Sequence, residues 1–171
     1  MLVIIVNGCM TNKNNKNFET YINKMPEFTL PYKFNNETKY ETIDNKRFSE
    51  YEIDKYNLNL NQVIGKITLG NKSYGVLYSF PADWSIPIMI TYDKTGEKID
   101  SLAIDAGYSD EEESYYFNKT ATINKNLIIE IESFETLYQL DENEKRVDST
   151  ARKKEVKNIF LIEENGKIKK Q

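Results

Sequence analysis

The sequence predicts a mainly β protein: an antiparallel meander of hairpins, barrel-like or a sandwich, with one or two short N-terminal helices. Three observations carry this. From Val63 onward apolar residues recur with period two. Turn-forming stretches such as Gly70-Asn71 and Asp93-Lys94-Thr95-Gly96 interrupt the alternation at hairpin spacing. Before Val63 the apolar spacing is three and four, the period of a helix.

Phe18, Tyr21, Ile22 and Met25 stand at i, i+3, i+4 and i+7 and lay one stripe along a helix, with Asn17 placed to cap it and Pro26 to stop it. Residues 27–34 read as an extended segment, and Pro31, which cannot donate to a ladder, puts that segment at a sheet edge. A polar loop follows over 35–39. Ser49, three residues before Glu52, has the spacing of a capping box, so Phe48, Tyr51 and Tyr56 belong to a second short helix within 44–56.

Val63, Gly65, Ile67 and Leu69 are expected on one face of the first long strand, and Tyr74, Val76, Tyr78 and Phe80 on one face of its return. Ile86, Ile88, Ile90 and Tyr92 alternate into the Asp93–Gly96 turn, from which 99–104 comes back. Residues 105–113 form a connection dense in carboxylates. Strands over 115–123 and 127–134 flank Asn124-Lys125-Asn126, with Leu127, Ile129 and Ile131 inward and Glu130 and Glu132 outward. After a bend at 133–135 the chain continues over 136–140, and 141–150 reads as a charged loop. Residues 156–162 and 167–170, around Glu163-Glu164-Asn165-Gly166, make the last hairpin.

A chain of 171 residues, 39% hydrophobic and 29% charged, suffices for one domain with its own core. Its formal net charge of −4 argues against the clustered cations a nucleic acid requires, so no nucleic-acid partner is expected. The absence of histidine removes the commonest general base, the commonest metal ligand and the Ser-His and Cys-His nucleophile systems. No cofactor, metal ion or enzymatic activity is expected. The single cysteine, Cys9, excludes an internal disulfide.

The apolar run Leu2-Val3-Ile4-Ile5-Val6 leads into Asn7-Gly8-Cys9, and a polar stretch without periodicity follows over 10–17. Val6-Asn7-Gly8-Cys9, with its branched residue and its small residue before the cysteine, resembles a lipobox. Residues 1–8 then form a lipoprotein signal segment, although no basic residue opens it and its apolar run is shorter than the roughly 7–15 residues of a complete signal. The competing reading makes Leu2 to Val6 an ordinary buried strand; the polar stretch after Cys9 favours the signal. The chain thus resembles the small uncharacterised lipoproteins of Gram-negative bacteria. That resemblance implies Cys9 as lipid acceptor, 9–17 as tether, 18–171 as one mainly β domain, membrane attachment through the lipid, and a periplasm-facing place at the outer membrane.

Three residues are candidate binding residues: Asp83, Trp84 and Tyr108. The loop 80–87 holds the only tryptophan beside a carboxylate, a possible platform for a sugar or peptide, against which stands the plainer reading that Trp84 plugs the end of the sheet. Tyr108 lies in the acidic stretch 105–113, which offers oxygen ligands but lacks the spacing of a calcium loop and reads as solvated charge. Glu130 and Glu132 have the residue types of a glycosidase pair, but period two already accounts for them as an outward face. Arg152-Lys153-Lys154 and Lys167, Lys169 and Lys170 read as the lysines with which edge strands avoid aggregation. The function expected is a non-enzymatic binding module for a protein or glycan, held at the envelope. The alternatives are a periplasmic immunity lipoprotein that meets a basic toxin through an acidic patch, and a carboxylate-dependent hydrolase.

Overall fold

Alternating apolar residues in β2 (Gln62–Leu69), β3 (Ser73–Pro81), β4 (Ser85–Asp93) and β5 (Lys98–Ala103) build a four-stranded antiparallel sheet in the order β2-β3-β4-β5. The architecture comes from a computed structural model that describes residues 10–35, 41–70, 73–82 and 85–171, with side chains from Asn17 onward. Cys9 and the run before it lie outside the described residues, as do Asp83 and Trp84. A second antiparallel sheet contains β1 (Tyr32–Phe34), β6 (Tyr108–Glu112), β7 (Tyr115–Ile123), β8 (Ile128–Leu140), β9 (Arg146–Ile162) and β10 (Ile168–Lys170). Its order is β1-β7-β8-β9-β10, and β6 shares with β1 the edge of β7 that faces away from β8.

The two sheets form a sandwich. Ile64, Leu69, Leu77 and Met89 of the first pack with Ala121, Ile123, Ile129, Ile131 and Ile162 of the second. The other face of the first sheet is covered by α1 (Met10–Asn23) and α2 (Glu50–Lys55), so that Phe18, Tyr21, Ile22, Met25, Phe48 and Tyr56 meet Val63, Val76, Tyr78 and Tyr92. The expected stripe of α1 is buried at all its positions. The helix, however, begins at Met10 instead of at Asn17, so the backbone of the stretch read as a tether is helical. Backbone hydrogen bonding needs no apolar side chain, and once the packed turns from Phe18 onward have nucleated the helix, polar residues extend it at little cost.

Ser49 caps α2 as expected: its hydroxyl accepts from the Glu52 amide at 3.4 Å and its own amide donates to Glu52 Oε2 at 2.6 Å. The first strand departs from expectation. A bulge between Val63 and Gly65 inserts a residue and reverses the parity, so Val63 faces the helices while Ile64, Ile67 and Leu69 face the second sheet. A Cβ at Gly65 would stand 2.9 Å from the Pro26 carbonyl, because 26–28 pairs along β2 through Lys66. The chain then crosses to β1, an edge strand on β7, as Pro31 required.

On the helical side, Tyr21 Oη lies 2.8 Å from Tyr78 Oη, which lies 3.1 Å from Tyr92 Oη. These buried hydroxyls satisfy one another. Burial pushes Tyr92 up to about 12 and Tyr21 and Tyr78 further, so all three stay neutral.

One turn recurs in four hairpins, opening at Asp93, Asn124, Asp141 and Glu163. In each, the opening amide donates to the carbonyl four residues on, and the opening carbonyl accepts from the residue three on. That third residue, Gly96, Leu127, Glu144 or Gly166, has φ of 86°, 62°, 60° or 86°. This is a type I turn closed by a left-handed residue. The Oδ1 atoms of Asp93, Asn124 and Asp141 each accept two further amides, as with Thr95 at 2.7 Å and Glu97 at 3.0 Å for Asp93. Gly96 is under two constraints, since a Cβ there would also sit 2.7 Å from the Phe18 ring. Gly96→Ala is therefore expected to lose more than about 2 kcal/mol, whereas the exposed Glu144→Gly gains up to about 1 kcal/mol by relieving the left-handed backbone. Urea denaturation of the two variants reads both signs.

Candidate binding surface on the projecting half of the second sheet

The strands of the first sheet are at most 9 residues long, whereas β8 has 13 and β9 has 17. Packing between the sheets ends at Ala121 and Ile131. Beyond them β6, β7, β8 and β9 continue as a sheet that no second layer covers among the described residues, and the stretch from Ser133 to Leu140 alone extends it by about 25 Å. Two expectations are corrected here. The acidic connection contains a strand, β6, and the charged loop over 141–150 is a turn closed at Lys145 followed by β9. Strand 136–140 is continuous with β8, with a register shift between Leu137 and Gln139 in place of the bend at 133–135. β6 and the first half of β9 consist mostly of polar and charged residues and show no apolar alternation, so period two does not mark them.

Register sets out the surface in rows. One row runs Glu112, Tyr115, Leu137, Arg152; the next on the same face runs Asp110, Phe117, Glu135, Lys154; the third runs Tyr108, Lys119, Ser133, Val156. This face continues the one that carries Ala121 and Ile131 into the core. Tyr115 and Phe117 stack at 6.3 Å, and Phe117 meets Tyr108 at 5.5 Å. Leu137 and Val156 are 47% and 40% exposed. Apolar side chains therefore lie in a strip across this face from Tyr108 on β6 to Val156 on β9, with Lys119, Ser133 and Glu135 among them, and the edges at β6 and β9 carry acidic and basic residues.

At its tip the surface is braced by Arg146. Its Nη1 donates to Glu111 Oε1 at 3.0 Å, its Nη2 to the Glu112 carbonyl at 2.6 Å and its Nε to the Glu113 carbonyl at 3.1 Å, while the guanidinium lies 4.3 Å from the Tyr138 ring. Hydrogen bonding to Glu111 raises the guanidinium further above its ordinary value. Asp105 pairs with Lys119 at 2.5 Å. Among the described residues no group of three or more acidic or cysteine side chains is placed to hold a metal ion. Glu130 and Glu132 both accept from Lys157 Nζ, at 2.6 and 2.9 Å, and the hydrogen bonds from Glu130 and then Glu132 raise that ammonium above its ordinary range. The two carboxylates flank one ammonium on the outward face of β8, as period two predicts.

Of the candidate binding residues, Tyr108 belongs to the strip, while Asp83 and Trp84 lie outside the described residues. Tyr115, Phe117, Leu137 and Val156 escape the sequence reading because i, i+2 spacing of bulky residues looks the same whether or not a second layer covers them. No helix among the described residues is long and apolar enough to cross a membrane. The chain matches no protein-family model, and no curated protein or solved structure matches it.

A second hollow, between α1 and α2, is lined by Asn17, Thr20, Lys24, Ser49, Tyr51 and Glu52. Its buried carboxylate is already occupied: Glu52 Oε2 accepts from Lys24 Nζ at 2.5 Å, from the Ser49 amide at 2.6 Å and from Ser49 Oγ at 2.8 Å. Burial pushes the carboxyl up, but the bonds from Lys24 and Ser49 outweigh it and hold Glu52 below its ordinary range. A pKa depressed on folding gives stability that is complete above the unfolded value and lost as pH falls through the folded one. Glu52→Gln is expected to cost about 1–3 kcal/mol at neutral pH, and the gap to the wild type to close below about pH 4, as thermal melts across that range would read.

Proposed function

We propose that the chain is a binding module that takes a protein partner on the projecting half of its second sheet. The observation that carries this reading is the strip of Tyr115, Phe117, Leu137 and Val156, which continues the core-facing side of the sheet where, among the described residues, no second layer covers it. A sheet face that only meets water is ordinarily polar, and contiguous apolar surface on a monomer marks an interaction site. The strip sets aromatic and aliphatic residues, with Lys119 and Glu135 among them, between two charged edge strands, and aromatic residues are enriched at protein interfaces. Its aliphatic members suit a packed protein surface better than a sugar, which calls for converging polar groups around a ring platform.

In this reading lipid on Cys9 holds the module at the outer membrane, facing the periplasm; the Val6-Asn7-Gly8-Cys9 pattern supports that address. An immunity role would put an acidic patch against a basic toxin. The acidic turn at Glu111, Glu112 and Glu113 is closed on Arg146, which favours the strip as the contact instead.

Capture from envelope extract by the immobilised chain, compared with Leu137→Lys/Val156→Lys, tests the strip. The double variant is expected to lose the captured protein while its melting stays close to the wild type, since exposed substitutions usually move stability by no more than about 0.5 kcal/mol each. Equal capture by the variant, or retention of a glycan and no protein, refutes it. For the anchor, intact mass of the chain from native membranes is expected to show acylation at Cys9 that Cys9→Ala removes; an unmodified chain in the soluble fraction would overturn it.

A further inference from the structure

The projecting half of the second sheet ends in two edges of opposite charge. Among the described residues β6 pairs only with β7, and β9 is joined by β10 only at Phe160–Ile162, with one further bond from the Gln171 amide to the Ile159 carbonyl. The edge of β9 from Arg152 to Val156 therefore presents unpaired backbone groups, a ready template for another strand. It carries Arg152, Lys153 and Lys154; the edge of β6 carries Asp110, Glu111 and Glu112.

Register aligns these two sets. Along the rows of the sheet Glu112 lies level with Arg152, Glu111 with Lys153 and Asp110 with Lys154. Each strand from β6 to β9 is antiparallel to the next, so β6 and β9 run in opposite directions. A second copy displaced along the sheet would bring its β6 antiparallel to β9, with the same faces on the same side and acid opposite base in every one of those rows. Glu111 is already held by Arg146, but Asp110, Glu112, Arg152 and Lys154 have no ion pair among the described residues. The two remaining pairs fall on one face, beside the apolar strip.

We infer that copies of this chain associate head to tail, the β6 edge of one adding to the β9 edge of the next through Asp110–Lys154 and Glu112–Arg152 pairs. Symmetric contacts across these same three rows fail on charge. A two-fold β9–β9 contact centred on Lys153 opposes Arg152 to Lys154 and Lys153 to itself, a β6–β6 contact centred on Glu111 opposes acid to acid, and like charges directly opposite one another destabilise a strand pair. Pairing of unlike edges leaves one free edge of each kind on a dimer, so association passes the dimer and builds rows of copies. One strand's width of interface is small, and the association is weak and salt-sensitive. This inference concerns the two edges and is tested on the chain alone, so it stands or falls apart from whichever partner the strip takes.

Sedimentation velocity of the full chain at low salt is expected to show average mass rising from monomer toward dimer and longer species between about 10 and 500 µM, and returning to monomer in about 0.5 M salt. Arg152→Glu/Lys154→Glu and, separately, Asp110→Lys/Glu112→Lys should each remain monomeric. Mixed in equal amounts, these two variants should associate again and grow past the dimer, because the native β6 edge of one meets the native β9 edge of the other and the two reversed edges also match. The four substitutions combined in one chain should restore the concentration dependence. A wild-type chain that stays monomeric throughout overturns the inference. So does a rise in mass that either double variant retains, or a mixture that fails to pair while both variants keep the wild-type circular dichroism; if either misfolds, failure of the combined variant to associate overturns it.

Discussion

The structure depends on one constraint, that β3 is buried on both faces. Val76 and Tyr78 point into the helices while Leu77 points into the second sheet, and residues of these two kinds alternate along a strand with period two. An antiparallel sheet usually keeps one face for water. This one must be covered twice, which explains the helical layer of Phe18, Tyr21, Ile22 and Met25 on one side and the stacked β7, β8 and β9 on the other. The tyrosine hydroxyls in the helical layer are the polar cost of that arrangement, met by Tyr21, Tyr78 and Tyr92 bonding to one another.

The covering sheet is longer than the sheet it covers. Four-residue turns of one design, opened by Asp93, Asn124, Asp141 and Glu163, set strand length locally and without regard to what lies opposite. β8 and β9 therefore run on past Ile131 and carry their core-facing side into the open. From this mismatch come both the apolar strip and the two charged edges, and Arg146 keeps the overhang ordered by tying the β8–β9 turn to the β6–β7 turn. Tertiary geometry thereby turns residues that are unremarkable in sequence into a surface.

Much of the architecture was legible from spacing. The stripe ending at Met25, the Ser49–Glu52 box, the edge position demanded by Pro31 and the outward Glu130 and Glu132 follow from helical or strand period together with backbone chemistry. What escaped lacked a local cause. The bulge after Val63 answers to Pro26 and Lys66, more than thirty residues apart in sequence. β6 and the first half of β9 are strands because neighbours pair with them, and their charged residues give no alternation to read. The helix over 10–17 is carried by packing further along α1.

By itself, then, the sequence determined the class of fold, the hairpins and their turns, because these rest on interactions among residues close together in the chain. Tertiary structure decided that the sheets stack instead of closing as a barrel, that the helices cover the first sheet, and that Tyr108 joins Tyr115, Phe117, Leu137 and Val156 on one open face. It also decided that Asp110 and Glu112 stand level with Lys154 and Arg152 at opposite edges. The physical reason is register: which residues of separate strands lie side by side is set by pairing across the whole sheet, and no spacing within a single strand contains it.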